Sequence, residues 1–159
     1  MTAFDKYLHA VIVRASHEAR EDGSAVVEAH HLLLSIAAEQ EAVTHQVLTS
    51  AGLDHGGVRD ALDREFEHSL RTVGVSPAVY DLPSPSRASE PPTMGASAKL
   101  ALERSFSSVA RKKELRPAHV LLGILQAQVG TVPRALALAG VDQAALVDHV
   151  RQTLGNGGE

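Results

Sequence analysis

The chain has 159 residues, with 15 Lys plus Arg against 19 Asp plus Glu and a formal net charge of −4, so it carries no general electrostatic attraction for nucleic acid or an anionic membrane. It contains no cysteine, which excludes a disulfide scaffold, a thiolate metal site and a cysteine nucleophile, and which fits a cytoplasmic location. Hydrophobic residues make up 44% but aromatic ones only 3%, a balance that builds a core from Leu, Val, Ile and Ala and favours helices over sheet.

Asp5 and His9 interrupt the first apolar stretch and no small-residue cleavage pattern follows, so no signal peptide is expected. No apolar run approaches the roughly 18 residues that span a bilayer. The first predicted helix carries Phe4, Leu8, Val11, Ile12, Ala15 and Ala19 on one face. The second, from His31 to Ala38, is apolar nearly all round, the pattern of a short helix enclosed by its neighbours. Val43, Val47, Leu48 and Ala51 mark a third, and Val58, Ala61, Leu62 and Phe66 a fourth.

The junction between the third and fourth helices follows from its chemistry. Gly52 suits a left-handed helix end and Asp54 an N-cap, while Leu53 and Val58 form a hydrophobic staple across it. Gly140, Val141, Asp142 and Leu146 repeat the device, and Pro133 suits the first position of the seventh helix. Residues 71–93 hold five of the seven prolines and cannot be helical, which predicts a mobile linker. Val73, Val75, Val79, Tyr80 and Leu82 are placed to tack part of it onto a neighbouring surface.

The two flanks of this linker resemble each other. HLLLSI, starting at His31, lines up with HVLLGI, starting at His119; the same offset lays QVLTSAGLD on RALALAGVD. The first helices align at an offset two residues larger, pairing Phe4 with Met94, Leu8 with Ala98 and Ile12 with Leu102. The expected fold is therefore all-α: two pseudo-symmetric four-helix repeats, residues 1–70 and 94–155, forming one globular domain.

This arrangement resembles the N-terminal domain of Clp-family AAA+ unfoldases, particularly the C type. The residues that carry the likeness are HEAR at 17–20, HHLLLSI at 30–36, VLTSAGL at 47–53 with Val58 and Arg59, and HVLLGIL at 119–125 with ALALAGV at 135–141. The resemblance implies a non-catalytic docking module that receives protein or peptide ligands, adaptors or phosphoarginine-marked chains, and in actinobacterial members cyclic peptide antibiotics. No GxxxxGK[ST] loop is present, so the chain is expected to be free-standing, able to bind but not to unfold. It would work as a decoy for ligands of a full-length unfoldase or as a regulatory partner of the Clp ATPase.

Two departures from the family pattern bear on the ligand. His30 and Ala118 stand where phosphoarginine-reading members carry a Glu, which removes the charge-assisted partner of the guanidinium in both halves. The family's opening aromatic-Thr pair reads Phe4-Asp5 in one half and Met94-Gly95 in the other. A ligand groove is expected between the helix starts, with Phe4, Leu8, Met94, Lys99 and His30 as its residues.

Chemistry-bearing patterns have plain alternatives. Glu28 with His31 and Glu65 with His68 have the Glu-x-x-His spacing of helical di-metal carboxylate sites, the basis of a rival reading as a small helical metalloenzyme. Such a site needs two further inward Glu residues that are not evident, and Glu65 and His68 are expected to face solvent. His31 and His119 are expected to satisfy buried backbone groups. Ser16, Ser35 and Ser50 lack a nucleophile elbow, and Arg111, Lys112 and Lys113 are read as a solvated helix end. No catalytic residue, metal or cofactor is expected, and a monomer is.

Overall fold

The computed structural model describes residues 1–74 and 90–156. Helix α1 spans Ala3–Glu21 and buries Val11, Ala15 and Ala19. It starts with a reciprocal cap in which the Asp5 amide donates to Thr2 Oγ1 and the Thr2 amide to an Asp5 carboxylate oxygen, both at 3.1 Å. The backbone hydrogen bond from Thr2 holds the Asp5 carboxyl below the usual carboxylate range. Strand β1, Val26–Val27, leads into α2, Ala29–Ala38, which is buried from His31 to Ala37.

Helix α3 spans Ala42–Ser50 and α4 His55–Thr72. Between them Gly52 has φ 74° and Asp54 accepts the Gly57 amide at 2.7 Å, with Leu53 and Val58 buried together. The junction is as expected, and such a cap stabilises by about 1 kcal/mol. Gly140 (φ 74°) and Asp142, which accepts the Ala145 amide at 3.1 Å, form the second copy.

Helix α4 runs two residues into the segment read as a linker, since no proline precedes Pro77 to stop it. The predicted contacts of Val75, Val79, Tyr80 and Leu82 lie outside the described residues. Thr93 and Met94 form β2, parallel to β1 in the register Val26–Thr93 and Val27–Met94. Met94 thus precedes the first helix of the second half instead of opening it. Helix α5 begins at Ala96 and ends at Ser107.

A 3₁₀ turn, Lys112–Glu114, leads to α6, Pro117–Leu125; α7 spans Thr131–Leu138 and α8 Gln143–Asn156. Two expectations change here. Pro133 is the third residue of α7, not the first, a position whose N–H is equally without an intrahelical partner. The basic run is exposed but caps no α-helix: Lys112 Nζ stands 3.5 Å from Asp5 and Arg111 pairs with Glu114.

Among the described residues the architecture is all-α apart from the two dipeptide strands. Helices α2 and α6 lie side by side at the centre; α1 and α4 cover the first, α5 and α8 the second. Across the middle, α4 packs on α7 and α3 on α6 and α8. No helix among the described residues is long and apolar enough to cross a membrane.

Candidate functional site

Where β1 meets β2, the starts of α2 and α5 are drawn together. Ser97 Oγ accepts the Ala29 amide at 2.8 Å and donates to the Glu28 carboxylate, while the Gly95 amide donates to Val27 O at 2.8 Å. A Cβ on Gly95 would collide with that carboxylate and with Val27 O. Close approach therefore explains the glycine at a position where the sequence pattern alone gave no reason for it.

One residue into α2 lies His30. Its ring rests on that of His31, centroids 4.1 Å apart and tilted by 45°. Burial pushes its pKa down to about 4, with the neighbouring His31 adding to the effect, so the ring is neutral at neutral pH. His30 and Thr131 line two cavities in common. One, of about 400 Å³, also touches Asp22, Arg59, Leu62 and Phe66; the other, of about 460 Å³, touches Ser97, Leu100, Val129 and Arg134. Phe66, Leu100 and Val129 are 58%, 50% and 85% exposed, giving this face an apolar rim.

The floor is set by ion pairs between α1 and α4. Arg59 donates to Asp22 and to Glu18, each at 3.1 Å, and His55 Nε2 lies 2.7 Å from the other Glu18 oxygen. Asp22 also receives His31 Nε2 at 3.2 Å. The Asp22 carboxyl is raised by burial but more than compensated by His31 and Arg59, so it sits below the usual range. On the far wall Glu65 accepts from Arg134 Nε at 3.0 Å and from Ser69 at 2.7 Å.

Of the five residues expected at a groove, His30 lines both cavities, whereas Phe4, Leu8, Met94 and Lys99 line neither. Phe4, Leu8 and Met94 are partly buried against the core, and Lys99 is exposed on α5. The Glu-x-x-His pairs do not converge. Glu28 turns to Ser97 while its amide donates to His31 Nδ1 at 3.0 Å. Glu65, expected in solvent, is only 7% exposed because Arg134 draws it into the α4–α7 seam; His68 is exposed.

A different set does cluster: Asp22, His30 and His31 each offer one ligand atom, all within 4.8 Å of one another. Sequence reading gave Asp22, Glu18, His55 and Arg59 no place in a site, although HEAR and Arg59 were among the residues carrying the family likeness. The available signal was a pair of matched i, i+4 spacings, acids at 18 and 22 and His/Arg at 55 and 59, on helices that must pack.

A family model described as the Clp repeat (R) N-terminal domain matches residues 3–89. Among solved structures, the N-terminal domain of the caseinolytic protease associated chaperone ClpD from Arabidopsis thaliana is similar at 18% identity and a TM-score of 0.62, covering 92% of this chain and 93% of that one. The Hsp104 N-terminal domain from Candida albicans is similar at 13% identity and a TM-score of 0.57, covering 90% of this chain and 85% of that one. A structure from a malarial protein secretion system gives 11% identity and a TM-score of 0.57, over 91% and 89% of the two chains. At these identities the likeness shows the fold. No curated protein matches the chain.

Proposed function

The chain belongs to the Clp repeat N-terminal domain family, whose members are binding domains, and from that membership we propose that it is a non-catalytic docking module for extended segments of protein substrates or adaptors. The observation that supports this most directly is the pair of cavities meeting at His30, with Phe66, Leu100 and Val129 exposed on their rim. An exposed apolar rim around concave surface favours polypeptide over a small charged ligand. A neutral His30 in place of a carboxylate selects by shape and hydrogen bonding instead of by ion pairing.

The packing of α4 on α7 and of α3 on α8 supports reading the chain as two repeats exchanged about a central α2–α6 pair. Titrating labelled unfolded casein by fluorescence anisotropy tests the docking role. Leu100→Asp is expected to weaken binding about tenfold, whereas Val13→Asp, an exposed site on α1 that lines neither cavity, leaves it unchanged. No binding, or equal effects of both substitutions, overturns the reading. A separate version, sequestration of cyclic peptide antibiotics by mass action in the groove expected between the helix starts and not in the His30 cavities, requires heat on titration with such a peptide and its loss in Phe4→Ala and Met94→Ala.

A further inference from the structure

We propose that Asp22, His30 and His31 form a binding site for a divalent first-row transition ion, Zn²⁺ foremost. Two imidazoles and a carboxylate are the donor set such ions take, and here they come from the end of α1, held to α4 by Arg59, and from the start of α2, joined to it by the His31–Asp22 contact.

Donors on one tetrahedral Zn²⁺ stand about 3.4 Å apart, given Zn–N and Zn–O distances near 2.1 Å. Asp22 Oδ2 and His31 Nε2 are already 3.2 Å apart. Arg59 Nη1 donates to both Asp22 oxygens, Oδ1 at 3.1 Å and Oδ2 at 3.4 Å, so it orients the carboxylate; an ion on Oδ2 takes the place of the longer contact. Among the described residues no hydrogen bond engages the His30 ring, which packs on His31; its lone pair can close on an ion without giving up a partner among them. The cavity these three residues line also holds Asp63 and Glu65. Arg59 lines the same cavity and Arg134 pairs with Glu65, so Asp63 is the added acid, and the cavity leaves room for water in the remaining coordination positions.

Binding also has a cost at His31. Without an ion, His31 donates from Nε2 to Asp22 and accepts the Glu28 amide at Nδ1. An ion at Nε2 shifts the ring proton to Nδ1, where it faces the Glu28 N–H, so the cap at the start of α2 is lost. This trade weakens binding and gives it a local signature at Glu28.

The test titrates the full chain, without an affinity tag, with ZnCl₂ by calorimetry and with CoCl₂ by visible absorption. One equivalent is expected to bind, with tetrahedral Co²⁺ bands and movement of the Glu28 amide resonance. His30→Ala and His30→Gln, checked for fold by circular dichroism, lower the affinity about tenfold or more; His68→Ala, on the exposed part of α4, does not. Absence of saturable binding up to about 1 mM Zn²⁺, or binding that both His30 substitutions leave intact, overturns the proposal. Metal binding without casein binding, or the reverse, separates this site from the docking role.

Discussion

His31 and His119 do the same work at the starts of the two buried helices: Nδ1 of His31 accepts the Glu28 amide at 3.0 Å, and Nδ1 of His119 accepts the Arg116 amide at 2.9 Å. Each is the third residue of its helix, and each satisfies the donor just outside it. Replacing His119 with Ala leaves that N–H without its acceptor in a crowded site, at a cost of about 2 kcal/mol. Urea unfolding is expected to show a lower midpoint with an unchanged m-value; an unchanged midpoint would mean that water takes over the cap.

A second expectation concerns acid. His30 titrates near 4 in the folded chain against 6.5 for the free side chain, so the unfolded chain takes up the proton first. Its contribution is therefore fully present above pH 6.5 and lost as pH falls toward 4, about 3 kcal/mol at most. His119, lowered by burial, and Asp22, held low by His31 and Arg59, act in the same direction. Unfolding free energies measured between pH 4 and 7 should fall steeply in the wild type and more gently in His30→Gln. Parallel slopes would assign the acid loss elsewhere.

The seam between α4 and α7 is held by Glu65, buried, and Arg134, more than half exposed. Removing the guanidinium strands a buried carboxylate with Ser69 alone, so Arg134→Met is expected to cost about 1–2 kcal/mol. Adding Glu65→Leu should recover part of that loss, because the carboxylate no longer needs a partner. A double-mutant cycle with coupling near zero would place this pair among ordinary surface ion pairs.

Helix order, the two staples and the capping role of both histidines could be read from the sequence because each rests on neighbours within a few residues. Leu53 with Val58, and Gly52 before Asp54, are local chemistry. The rest depends on distant partners. The β1–β2 pair joins two dipeptides from opposite halves, too short for any alternation to register. Glu65 looks solvent-facing on α4 until Arg134 arrives from α7. The expected groove drew on helix starts taken as equivalent, but Met94 lies in a strand, and the cavities open instead around His30 and Thr131.

Adjacent glycines in the first turn of α4 should respond with opposite signs. A Cβ on Gly56 meets only Asp54 Oδ1, at 3.8 Å, an ordinary contact. Gly56→Ala then restricts the unfolded chain and improves helix propensity, raising stability by about 0.5–1 kcal/mol. On Gly57 the Cβ would run into the carbonyl of Gly52, whose positive φ fixes that backbone in place. The same methyl there forces apart the α3–α4 junction and should cost about 1–3 kcal/mol. Thermal melts of the two variants check this directly. Both rising together would show that the junction gives way easily.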